Sequence, residues 1–196
     1  MDVRIGISGW TYKPWRGTFY PRGLPQRREL AHVAERMNSV EVNGTFYSRQ
    51  RRTSFEAWAA AMPEDFVFAL KGPRFITHLK KLGDVEVRHE TFRDPAFYDL
   101  LRRHDVGLVI ADNPGKWPVI EEVTSDFMYV RLHGHDELYA SGYDDEALDA
   151  WAARVLGWVA QGQDVYVYCD NDIKVRAPFD AMGLLARVRA GMDGTA

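Results

Sequence analysis

Short β-branched and aromatic runs alternate along the chain with stretches of helical period. Val3–Ser8 predicts a first strand, closed by Gly9. Leu30, Val33, Ala34 and Met37 then recur at the spacing of one helix face. Ser39–Asn43 predicts a second strand, and Phe55, Trp58, Ala59 and Met62 repeat the helical period after Thr53 and Glu56, which have capping-box spacing. Phe66–Leu70 and Val85–Arg88 predict the third and fourth strands, separated only by a short helical hint at Thr77–Leu82. Asp94-Pro95 is an N-cap and first-turn pair for a helix that buries Phe97, Leu100 and Leu101. Gly107–Ala111 and Phe127–Leu132 predict two more strands. Asp144 opens a long helix with Leu148, Trp151, Ala152, Val155 and Val159 on one face, ending near Gly162. Val165–Cys169 is the last strand, and Pro178 starts the last helix.

Alternating strands and helices predict parallel βαβ units. The nearly continuous apolar run Phe66–Leu70 predicts a sheet covered on both faces. The expected fold class is α/β, a TIM-type (β/α) barrel, with seven strands visible where such a barrel ordinarily has eight. An open doubly wound sheet is the alternative, but no Gly-rich phosphate fingerprint follows the first strand.

Strand alternation also sorts the polar residues, because positions i and i+2 share a side. Ser39, Glu41 and Asn43 oppose Val40 and Val42, and Glu86 and Arg88 oppose two valines. Tyr129, Arg131 and His133 share a side, as do Tyr166, Tyr168 and Asp170. Apolar sides face helices, so these polar sides face the barrel interior. Many lie at C-terminal strand ends, where barrels of this class open to a pocket, as do Lys71 and Asp170-Asn171-Asp172. The structural alternative is a salt-bridged core in which Glu41, Glu86, Arg4, Arg88 and Arg131 neutralise one another. Glu41 lies in the C-terminal half of its strand, where solvent is expected to reach it, so Glu41→Gln is expected to cost little stability. The loop Trp10–Tyr20 interleaves aromatic and basic residues; it can stack a sugar ring or a base, or pack as a lid on the rim.

The chain's 196 residues, 46% hydrophobic and 27% charged, predict a single domain over 1–196. A net charge of −3 gives no support to nucleic-acid binding, and Arg49, Arg51 and Arg52 read as a solvated rim. The single cysteine, Cys169, rules out an internal disulfide and reads as a small buried hydrophobe. No secretory pattern opens the sequence and no run approaches a membrane span, so a cytoplasmic protein without membrane association is expected. His32 and His104 read as surface or boundary residues, and no histidine has zinc-motif spacing. No metal site is expected; one assembled across strands from Glu41, Glu86, His133 and Asp172 is the minor alternative.

These same segments resemble a known family. Ile5–Trp10 with Tyr12 and Trp15, Val40–Asn43 with Thr45–Tyr47, and Phe68–Lys71 with Ile76-Thr77-His78 carry the resemblance, as do Val85–His89, Tyr129–Gly134 and Val167–Asp172 with Ala177-Pro178. Together they resemble the YecE-like family, domain-of-unknown-function family 72. The resemblance implies a TIM-type barrel and no established activity. It also implies a gap or deletion near 82–83: members carry a further helix, a strand with a Gln-x-Pro-like motif, and another helix there, roughly 40 residues. In this chain Lys81-Leu82 runs directly into Gly83-Asp84-Val85, so strand four and its flanking helices are missing.

The leading expectation is a small barrel enzyme of hydrolase or isomerase type acting on a polar, phosphorylated or sugar-like small molecule. Glu41, Glu86 and His133 are the candidate catalytic residues, with either carboxylate as general acid/base and the imidazole as proton shuttle or orienting donor. Trp10, Tyr12, Asn43, Lys71, His78, Arg88, Arg131, Asn171 and Asp172 are the candidate substrate-binding residues. A ligand-binding or interaction barrel without catalysis is the second reading, and a divalent-metal hydrolase the third. No cofactor and no oligomeric state is encoded legibly.

Overall fold

Among the described residues there are seven strands: β1 (Val3–Ser8), β2 (Ser39–Val42), β3 (Val67–Leu70), β4 (Asp84–Val85), β5 (Gly107–Asp112), β6 (Phe127–Leu132) and β7 (Asp164–Cys169). The computed structural model describes residues 1–47, 50–71 and 84–194. The strands form one sheet in the order β3-β2-β1-β7-β6-β5-β4, and every pairing is parallel. The helices are α1 (Glu29–Ala34), α2 (Gly44–Tyr47), α3 (Arg52–Ala61), α4 (Pro95–Arg103), α5 (Asp145–Ala160) and α6 (Ala177–Asp193).

The sheet curls. β2 and β6 are separated by β1 and β7 in the order, about 14 Å apart in a flat sheet. Their side chains nevertheless meet, with Tyr129 Oη donating to Glu41 Oε1 at 2.7 Å. The architecture is therefore a curled, half-barrel sheet with β3 and β4 at its ends. Ile5, Ile7, Val40, Val130, Leu132, Val165 and Val167 point outward into one apolar core with Trp151, Val155, Leu184 and Val188 of α5 and α6. This burial holds the helices against the convex face.

Local signals act as the sequence predicts at two helix starts. Asp94 accepts from the Ala96 amide at 2.8 Å, and Asp144 from the Ala147 amide at 2.8 Å. Others do not. α3 starts at Arg52, one residue before Thr53, and Glu56 is held by Arg52 at 2.7 Å instead of closing a capping box. α4 buries Tyr98 and Leu101, while Leu100 is exposed. Of Val85–Arg88, only Val85 is strand, paired with Asp84 against β5. The helical hint at Thr77–Leu82 and the junction at 82–83 lie outside the described residues. Among the described residues no helix is long and apolar enough to cross a membrane.

Inside the curl, β1 and β2 run unusually close at Gly6. A methyl group there would sit 2.0 Å from the Ser39 carbonyl oxygen. Gly6→Ala must push the two strands apart, a small-to-large change in a packed layer. A fall in Tm on the order of 5–10 °C is expected in a thermal melt. A variant melting with the parent would show that the strands can separate freely.

Candidate functional site

Arg131 stands at the centre of the concave side, carried inward by β6. Its Nη2 donates to Asp170 Oδ2 at 2.7 Å, Glu41 Oε2 at 3.3 Å and Ser8 Oγ at 3.3 Å. Its Nη1 donates to Glu86 Oε2 at 3.0 Å. Three carboxylates from three strand ends therefore share one guanidinium. Glu41 is the most enclosed: it also accepts from Ser8 Oγ and Tyr129 Oη, and Lys71 Nζ lies 3.2 Å from it. Below this ring Tyr168 Oη and Ser39 Oγ share a 2.6 Å hydrogen bond that closes the interior.

The charges are set by these contacts. Burial works against the Arg131 charge, but Glu41, Asp170 and Glu86 outweigh it and its pKa is raised. Burial pushes Asp170 and Glu86 upward, but His133 and Arg131 hold the first, and Arg131 and Arg88 the second, below the usual carboxylate range. Asp84 behaves oppositely. It stands at the exposed sheet end, yet its carboxyl is desolvated and faces Glu41 and Glu86. Its pKa is pushed up to about 6, with Arg131 and Lys71 only partly compensating.

His133 follows Arg131 on the same side and is fully enclosed at 0% exposure. Its Nδ1 lies 3.1 Å from Asp170 Oδ2 without the alignment of a hydrogen bond. Its Nε2 has no partner among the described residues, and neither do Trp117 Nε1 and Arg131 Nε. Trp117 and Tyr139 pack edge-on against the imidazole, and the Arg88 guanidinium lies 4.7 Å over Trp117. Tyr139 and Val175 hold left-handed backbone, φ 62° and 59°, in the loops after β6 and β7. For a β-branched valine this is a strained conformation. The Ile173 amide donates to Tyr139 O at 3.1 Å and ties the two loops together.

A second feature adjoins the ring. Gly9, Trp10, Tyr12, Asn43, Gln50 and Trp58 border a cavity of about 300 Å³. Tyr12 Oη donates to Ser8 O at 2.7 Å, and Ser8 Oγ lies 3.1 Å from Asn43 Oδ1. Trp15, Phe19 and Tyr20, later in the same loop, are buried packing residues.

Of the candidates read from the sequence, Glu41, Glu86, Lys71, Arg131 and His133 gather around one centre with Ser8 and Asp170. Arg88 joins through Glu86, at 2.7 Å. Asp172 lies at the rim, where burial and Asp170 raise its pKa. Trp10, Tyr12 and Asn43 border the cavity. Asn171 turns to the helix side, donating to Ser141 O and Asp180 Oδ2, because it follows Asp170 by one residue and takes the opposite strand phase. His78 lies outside the described residues. Arg4 belongs to the other end of the sheet, on Asp2 and Asp65 O. His32 is buried against Phe19 O rather than exposed. The expectation that solvent reaches Glu41 is corrected: it is 2% exposed, because Tyr129 and Arg131 reach over it from β6. Among the described residues no three His, Cys, Asp or Glu side chains are placed to hold a metal ion, so Glu41, Glu86, His133 and Asp172 are not assembled as one. The sequence reading missed Asp84, because it started the fourth strand one residue too late. It placed Asp170 on the inner side without naming it a site residue.

Fold and ring together define a parallel α/β half-barrel with its polar site at the C-terminal strand ends. The family described as "Protein of unknown function DUF72" matches residues 4–85 and 84–195, and the chain belongs to it. It is similar to the crystal structure of a DUF72 family protein (TM1631) from Thermotoga maritima, with 22% identity, a TM-score of 0.82, and coverage of 96% of this chain and 100% of that one. It is also similar to a DUF72 family protein (EF0366) from Enterococcus faecalis, with 16% identity, a TM-score of 0.79, and 95% of each chain covered. No curated protein matches the sequence.

Two predictions follow from the charges. Glu41→Gln removes a carboxylate from a buried, shared ion pair, a change of about 3–5 kcal/mol. It is expected to lower Tm by on the order of 10 °C, and Glu86→Gln by clearly less; equal small drops in thermal melts would contradict the burial argument. Asp84 binds its proton more tightly folded than unfolded, so its ionisation weakens the fold as pH rises from 3.8 to about 6. Asp84→Asn should therefore melt above the parent at pH 8, with the difference closing by pH 4. A pH-independent difference would refute the raised pKa.

Proposed function

We propose that the chain is a small-molecule enzyme using acid/base chemistry of the hydrolase or isomerase kind on a polar, hydroxyl-bearing substrate. The observation that supports this most is the set of carboxylates sharing Arg131 beside a carboxyl, Asp84, whose pKa of about 6 suits proton transfer near neutrality. In this reading Asp84 exchanges the proton, and Glu86, two residues further along the same side, stays ionised. Lys71, with 27% of its side chain exposed, and Arg88, with 55%, hold polar groups of the substrate. Arg131, Glu41 and the His133–Asp170 pair are positioning residues beneath them.

A ligand-binding barrel without chemistry is the second reading. It is favoured by the way Glu41, Arg131 and Tyr129 satisfy one another below the surface. We also read the half-barrel as a TIM-type barrel lacking its fourth strand and flanking helices. The two family matches that meet at residues 84 and 85 support this. The lone buried Cys169 fits a reducing, cytoplasmic compartment.

Turnover assays on neutral sugars, glycosides and their phosphates test the enzyme reading. Asp84→Asn is expected to lower kcat on the order of 100-fold or more, with KM little changed. Arg88→Ala is expected to act mainly on KM. An Asp84→Asn variant as active as the parent, or a parent inactive on every substrate, would remove the proposal.

A further inference from the structure

The cavity beside the charged ring differs from it in chemistry. Its described lining residues are all uncharged: two indoles, a phenol, a threonine, two amides, and small or aliphatic positions. Lys71 and Arg131, the cations of the ring, are paired with Glu41 and are not part of its described lining. None of the described lining residues supplies a positive charge for a phosphate. The rings of Trp10 and Trp58 meet at 90°, with centroids 5.4 Å apart, so they do not form a parallel slot that would sandwich a planar base.

We infer that this cavity binds a neutral, hydroxyl-bearing ring, a single sugar residue, and presents it to the Glu41–Arg131 ring. The inference rests on reading the strand-end face as a small-molecule site. An indole face takes the C–H side of a pyranose or furanose, while amides and hydroxyls pair with its OH groups. The cavity volume of about 300 Å³ lies at the lower end for small-molecule sites and suits one ring. Asn43 joins the two features: it borders the cavity, and its Oδ1 lies 3.1 Å from Ser8 Oγ, which also donates to Glu41. Gly9 allows the wall to close. Its φ is +84°, and a methyl group there would meet Tyr12 Oη at 2.9 Å and Asn43 Nδ2 at 3.2 Å.

The test is titration of the full chain, by tryptophan fluorescence and calorimetry, with a panel of neutral monosaccharides. Glucose 6-phosphate, ribose 5-phosphate and inorganic phosphate are the anionic comparisons. At least one neutral sugar is expected to bind saturably and at least 10-fold tighter than its phosphate. Trp10→Ala and Gln50→Ala should each weaken it at least 10-fold, with Gln50→Ala deciding if Trp10→Ala fails to fold by circular dichroism. Preference for phosphate-bearing ligands, no saturable neutral sugar, or binding indifferent to the deciding substitution would overturn the inference. Sugar binding without turnover would leave this site standing and remove the enzyme reading. Turnover of another substrate without sugar binding would do the reverse.

Discussion

A buried guanidinium that answers three carboxylates is the constraint on which the concave side depends. Arg131 reaches Glu41 on β2, Asp170 after β7 and Glu86 after β4, so one side chain bonds to groups from both halves of the curled sheet. Desolvating such charges costs several kcal/mol each, and only their mutual pairing and hydrogen bonds offset it. The ring therefore fixes the curl as much as the curl fixes the ring. Removing an enclosed member such as Glu41 or Arg131 strands a buried charge, which makes this part of the interior intolerant of single changes.

The ring also divides the site into a buried layer and a wet one. Glu41, Arg131 and His133 are shut away, while Lys71, Glu86 and Arg88 reach toward the mouth and Asp84 lies at the start of β4. The buried layer keeps Glu86 and Asp170 ionised, and the same negative field lifts Asp84. A division of this kind gives adjacent carboxyls different tasks, the arrangement acid/base chemistry requires. The neutral cavity under Trp10 and Trp58 adds a place for the uncharged part of a ligand.

Much of this was legible from alternation alone. The i, i+2 phase put Glu41 with Ser39, and Arg131 with Tyr129 and His133, on the inner side, and all of them are there. Parallel order followed from the strand–helix alternation. What alternation cannot give is depth. Glu41 was expected to be wet because of its place along its strand, but side chains from β6, distant in sequence, cover it. Strand ends were the other weakness. Starting the fourth strand at Val85 hid Asp84, and a shift of one position from Asp170 turned Asn171 to the helix layer. The capping box at Thr53 failed for a similar local reason, since Arg52 begins the helix and takes Glu56.

The central claim is that Arg131 and its carboxylates act as one unit. A double-mutant cycle measures this directly: denaturant unfolding of the parent, Arg131→Met, Glu41→Gln and the pair. The account predicts that the double variant is more stable than the sum of the single losses implies, by more than about 1 kcal/mol, because each single change strands a buried charge that the second removes. Losses that add to within about 0.5 kcal/mol would contradict it.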